Sequence, residues 1–203
     1  SSSADAAPAS LDAKTPSMMA EIDKVGLATL KECMQTVYED GPKRDRRLWI
    51  GDLYLEALAN SQSFKKHDLT KRCLYLLAGL SGEDGFLHAS VFESPLPHPQ
   101  AGNSFLFDYA LIYNVAVKDY LDATGDRATA LDLWPVVRKQ LESPLKFLNT
   151  DGLFDSQQAA KSGWWLFVDW SEALDREAAI QGIIIYAMKQ SYQLAKSLGK
   201  ENE

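Results

Sequence analysis

The sequence predicts an all-α fold of about six helices, on three observations. Apolar residues recur at helical spacing along most of the chain between residues 16 and 198. The stretches are separated by cap and breaker chemistry, such as Thr15-Pro16, Ser81-Gly82, Gly125 and Leu198-Gly199. Long connections (39–52, 81–103 and 149–174) also alternate with short ones (65–67 and 125–127). Helical hairpins arranged in a ring would gather the long loops, with their acids and aromatics, on one face.

Residues 1–14 are small and polar and read as a flexible N-terminal extension or linker, which leaves 15–203 as the folded domain. Thr15-Pro16 looks like a helix start, and Ile22, Val25, Leu30, Cys33, Met34 and Val37 follow at helical spacing, so a first helix is expected over 16–38. A second is expected from Asp52 to about Phe64 with Leu55 and Leu58 inward, and a leucine-dense third from Asp68 to Leu80. Three prolines, Pro95, Pro97 and Pro99, make the 86–102 segment an extended excursion with a short strand near Phe86–Phe92. A fourth helix, aromatic-rich, runs from Ser104 to Thr124, and a fifth from Ala128 to Leu148 with Pro135 and Pro144 inside it. The stretch 149–174 reads as loop, and Asp175 caps a last helix that closes at Leu198-Gly199.

A chain of 203 residues with 46% hydrophobic and 24% charged residues is long enough for one sizeable core. A net charge of −7 argues against a nucleic-acid partner, and no apolar run approaches the ~20 residues of a membrane span. Cys33 and Cys73 fall on apolar stripes and read as free thiols. His67, His88 and His98 lack the spacing of a zinc site, so neither a metal nor a cofactor is expected. Nothing in the sequence fixes a compartment.

The charged stretch Asp40–Asp52 organises the functional reading. It packs three acids, three arginines, a lysine, a tryptophan and two glycines between helical segments. Asp40, Asp45 and Asp52 beside Trp49 suit sugar chemistry: carboxylates take ring hydroxyls or transfer protons, arginines hold carboxylates, and an aromatic faces the ring. On spacing alone, a salt-bridged helix cap fits the same residues.

The stretch Asp40-Gly41-Pro42-Lys43-Arg44-Asp45-Arg46-Arg47-Leu48-Trp49-Ile50-Gly51-Asp52 resembles a signature of the α-L-rhamnosidases. Asp84-Gly85-Phe86-Leu87, Phe107-Asp108-Tyr109, Asp119-Tyr120, Thr124-Gly125-Asp126 and Phe167-Val168-Asp169-Trp170 look like further landmarks of that family in the expected order. The resemblance implies a helical-hairpin toroid of the (α/α)6 barrel type. Since about six helices make half of a six-hairpin ring, it also implies an incomplete barrel, the N-terminal half, completed by the same or another chain.

The family implies inverting hydrolysis of terminal α-L-rhamnosides in a rhamnose-containing glycoside or polysaccharide. In many members the proton donor is a glutamate seven residues before the loop's final aspartate. That position here is Asp45, one methylene shorter. Asp40 and Asp52 match aspartates that bind rhamnose hydroxyls, Arg44 and Trp49 belong to the same loop, and Asp169 and Trp170 resemble a substrate-side pair. The family's catalytic base lies in the later half of the barrel, and no residue here is assigned to it. Two alternatives stay open: a non-catalytic carbohydrate-binding or degenerate homologue, and a helical interaction scaffold whose charged loop is a cap network.

Overall fold

The computed structural model describes residues 2–5, 7, 8, 11–102, 105–168, 171 and 173–203. Its elements, in order, are α1 (Ser17–Cys33), β1 (Leu48–Trp49), α2 (Ile50–Gln62), α3 (His67–Gly79), β2 (Ser90–Phe92), β3 (His98–Pro99), α4 (Phe107–Thr124), α5 (Arg127–Leu145), α6 (Ser156–Lys161) and α7 (Arg176–Leu198). The expected helices form, and the short α6 is added inside the stretch read as loop.

Local chemistry sets the boundaries. Gly125, at φ 69°, takes the left-handed conformation that ends α4, and Gly199 does the same for α7. Side-chain caps open three helices: Asp126 accepts from Thr129 N, Asp155 from Gln158 N, and Asp175 from Glu177 N. The first helix stops at Cys33, short of residue 38, because Met34 and Tyr38 pair across a tight turn. Tyr38 is drawn into the core instead, where its hydroxyl bonds Thr70 Oγ1 at 2.8 Å and accepts from Asn60 Nδ2 at 2.8 Å. Three-dimensional pairing overrides helical spacing there.

Helices α2, α4 and α7 pack side by side, α4 in the middle, with α3 and α5 against them and α1 against α2. Three hairpins, α1/α2, α3/α4 and α5/α7, thus form an incomplete helical barrel. One core cluster lies among α1 to α5 and the end of α7, around Tyr38, Leu53, Leu74 and Tyr113. A second, around Phe107, Leu111, Phe154 and Ile180, sits under the 147–166 segment. Leu55, expected inward, is 65% exposed, because α2 turns Ile50, Leu53 and Asn60 to the core instead.

Apolar residues remain uncovered at both ends of the row. Ile22 and Val25 on α1 are 66% and 63% exposed, and Ile185 and Tyr192 on α7 are exposed as well. Residues near the N-terminus touch the fold too: Ala4 is buried, Ser3 Oγ bonds Met34 O at 3.1 Å, and Asp5 pairs with Lys66 at 3.1 Å. Among the described residues, no helix is long and apolar enough to cross a membrane.

Candidate functional site

The charged loop is closed by a reciprocal pair. Asp40 N donates to Arg47 O at 3.0 Å, and Arg47 N donates to Asp40 Oδ1 at 3.1 Å. Between these anchors the chain folds on itself: Arg44 N and Arg46 N both donate to Gly41 O, and Arg46 Nε donates to Pro42 O at 2.8 Å. Arg46 sits at φ 53°, in the left-handed region, to complete the turn. The chain then enters the small antiparallel sheet, with Leu48 opposite Val91 and Trp49 opposite Ser90.

Arg47 is the hub of this loop. Its Nη2 pairs with Asp45 Oδ2 at 2.9 Å, and its Nη1 donates to Gln100 Oε1 at 3.0 Å. The guanidinium also lies 5.3 Å from the Trp49 ring centre and 5.5 Å from that of Phe92. One arginine therefore ties the loop's central acid to its tryptophan and to the proline-rich segment.

From Trp49 a row of aromatic rings leads away. Trp49 meets Tyr109 edge to face at 6.2 Å, Tyr109 meets Phe167 at 6.0 Å, and Phe167 meets Trp165 at 6.2 Å. None of the four is fully buried, and Trp165 is 48% exposed. Gly51 makes the start of this row possible. A Cβ on it would stand 2.6 Å from the Tyr109 ring, closer than any side chain tolerates. Tyr109 lies on α4, so the glycine lets the start of α2 approach that ring.

Several acids of this region are partly buried and stand close to one another. Burial pushes the Asp52 carboxyl up, repulsion from Asp40 adds to that, and its own backbone N–H and Arg44 act against it. Burial also raises Glu39. One turn beyond Asp52, Glu56 is pushed up to about 8, by burial first and then by Asp52, Asp40 and Glu39, while a hydrogen bond from Cys33 opposes the rise. Its Oε2 is buried without a hydrogen-bond partner. Burial and the Glu56 carboxyl together push the Cys33 thiol up to about 12. Asp40, Arg44, Glu39 and Cys33 line an open cleft of about 600 Å³ between the end of α1 and the loop.

Five of the sequence-predicted residues, Asp40, Arg44, Asp45, Trp49 and Asp52, thus lie on one loop and the helix start it leads into. They divide between two settings. Asp45 and Trp49 meet through Arg47, whereas Asp40 and Arg44 line the cleft. Asp169 and Trp170 fall outside the described residues. Sequence reasoning assigned no site role to Glu56, Gln100 or Tyr109, yet Tyr109 stands on Trp49. Its neighbour in the row, Phe167, lies two residues after Trp165, and that aromatic-rich run was the available signal. No group of metal-holding side chains occurs among the described residues.

Comparison with known proteins adds the following. The family described as bacterial alpha-L-rhamnosidase 6 hairpin glycosidase domain matches residues 14–203. A rhamnosidase from Klebsiella oxytoca with rhamnose bound is 42% identical with a TM-score of 0.88, the match covering 96% of this chain and 37% of that one. A GH78 family rhamnosidase of Bacillus sp. GL1 is 23% identical with a TM-score of 0.78, over 93% of this chain and 19% of that one, and shares the fold. This chain therefore spans well under half the length of either. No curated protein matches it.

Proposed function

Because the chain belongs to the bacterial α-L-rhamnosidase six-hairpin glycosidase family, we propose that it is the acid- and sugar-binding half of an inverting α-L-rhamnosidase. The observation that carries this reading is the 42% identity, over 96% of this chain, to a rhamnosidase solved with rhamnose bound. The loop adds chemistry of the right kind: acids, arginines and an aromatic brought together on one loop. In this reading Asp45 protonates the leaving glycosidic oxygen, and Asp40, Arg44 and Asp52 hold rhamnose hydroxyls. Trp49 presents its ring to the sugar's apolar face, and Asp169 and Trp170 complete the binding side. The base that activates water comes from the remaining half of the barrel, which also covers the apolar ends of α1 and α7. Domain residues 15–203 form this half, and 1–14 lead into it. The substrate is a rhamnose-containing glycoside or polysaccharide, and the reaction needs no cofactor.

The Arg47–Asp45 ion pair sets a condition on this mechanism. For Asp45 to reach the glycosidic oxygen, this contact must open as substrate enters. The same pair favours a second reading, a homologue that binds sugar without cleaving it. Asp45→Asn in a protein carrying the complete barrel separates the two. Hydrolysis of an aryl α-L-rhamnoside falls at least ~100-fold if Asp45 is the acid, with L-rhamnose binding retained. Turnover unchanged by the substitution removes Asp45 from that role. Tryptophan fluorescence titrated with L-rhamnose, beside D-glucose and D-galactose, tests the binding half on this chain alone.

A further inference from the structure

One strained residue and one buried acid meet beside the aromatic row. Val168 has φ 48°, a left-handed conformation in which a β-branched side chain crowds its own backbone. Its N–H donates to Asp108 Oδ2 at 3.2 Å, and the preceding N–H, of Phe167, donates to Asp108 Oδ1 at 3.3 Å. Asp108 is 2% exposed in the first turn of α4, where the helix N-terminus favours a carboxylate. Just upstream, Leu106 bridges Trp165 in parallel, and Phe107 N donates to Trp165 O at 3.1 Å. The start of α4 therefore grips the 165–168 segment through both its backbone and one carboxylate.

We propose that Asp108 is a positioning residue whose two carboxylate oxygens impose the left-handed turn at Val168, and so seat Phe167 and Trp165 in line with Tyr109 and Trp49. Burying a carboxylate is costly; the N–H groups of Asp108 itself and Tyr109 offset part of that cost, and those of Val168 and Phe167 offset more of it in this conformation. Released from the carboxylate, Val168 relaxes to negative φ and the peptide between Phe167 and Val168 rotates. Phe167 then leaves the Tyr109 edge. The placement of the rings stands on the contacts alone. That the row serves sugar binding rests on the rhamnosidase reading.

Asp108→Asn tests this, because an amide has one acceptor for the two N–H groups and turns its own NH2 against the other. The readouts are near-UV circular dichroism, which reports ring placement without any sugar, and L-rhamnose affinity by tryptophan fluorescence. Asp108→Asn is expected to remove about half or more of the near-UV signal with far-UV helicity unchanged, and to weaken rhamnose binding roughly 10-fold. Adding Val168→Gly relieves the strain that the carboxylate opposes, so the double variant is expected to recover most of the signal and several-fold in affinity. A merely structural role gives no such rescue. Equal losses in the single and double variants, or an unchanged near-UV spectrum in Asp108→Asn, overturn the proposal. If Asp108→Asn does not fold, Val168→Asn decides: a higher urea midpoint with the near-UV signal kept supports the strain at 168, and a lower midpoint overturns it. Absence of rhamnose binding in every variant, with the near-UV pattern as expected, counts against the rhamnosidase reading and leaves the positioning role standing.

Discussion

Glu56 offers the sharpest test of how this site is built. Its carboxyl end is inside the protein, and burial together with Asp52, Asp40 and Glu39 carries it from 4.5 to about 8. Between those two values the native state holds a proton that the unfolded chain has released. Unfolding therefore releases a proton in this window, so raising the pH favours the unfolded chain, and stability falls from about pH 5 to about pH 8 before levelling. At about 1.4 kcal/mol per pKa unit, the rise from 4.5 to about 8 sets an upper bound of about 5 kcal/mol. Partial access of water to the residue makes a loss of about 2 kcal/mol the expected value. Glu56→Gln keeps the shape and an acceptor for the Cys33 thiol but has no proton to lose. Urea unfolding of both proteins from pH 5 to pH 9 is the assay. Other carboxyls raised by burial, Asp52 and Glu39 among them, titrate in both proteins, so the difference between the two slopes isolates Glu56. The slope is the readout because the glutamine NH2 at the unpartnered Oε2 position adds a penalty that does not vary with pH. Parallel curves would refute the reasoning, and so would a wild-type stability that rises with pH over this range.

Two further substitutions probe the frame around the site. Gly51→Ala drives a methyl to 2.6 Å from the Tyr109 ring, and the overpacking costs about 1–3 kcal/mol by urea midpoint. It also shifts the emission of Trp49, which stands edge to face with Tyr109. Asp126→Ala removes the α5 cap together with the acceptor of Lys71 Nζ and Tyr120 OH. Stability falls by about 1 kcal/mol at pH 7, and the difference from wild type narrows in acid, where the carboxylate held low by Thr129 and Lys71 becomes protonated.

The helices were legible because their signals are local. Apolar stripes, Asp175 as a cap, and Gly125 and Gly199 as stops act within a few residues, and the structure uses each of them. The misplaced end of α1 shows where such signals fail. Met34 and Val37 continue a helical stripe, but Tyr38 gains Asn60 and Thr70 as partners only through the packing of α2 and α3. Leu55 was read inward by its type, and nothing local says which stripe of α2 faces the core. The charged loop announced itself by composition, yet Arg47 as its hub did not. Arg47's partners Phe92 and Gln100 reach it only when β1 pairs with β2. Glu56 was hidden for a similar reason, since an acid on an amphipathic helix reads as part of the solvent face until the end of α1 closes over it.

The buried acids also bear on whether the loop is a site or a network of caps. A cap carboxylate is stabilised in its charged form. Asp126 shows this, held well below the usual range by Thr129 and Lys71. Carboxylates in surface ion pairs behave alike, as Glu142 does beside Lys139 and Glu203 beside Lys200. At the loop the shifts run the other way. Glu39, Asp52 and Glu56 are all raised, chiefly by burial, although Arg44 and Arg46 stand close enough to oppose it. Crowding carboxyls out of water with too little compensation destabilises the fold, and a scaffold gains nothing from it. A sugar-processing site does gain. Hydroxyls entering beside Asp40 and Asp52 would supply the missing donors.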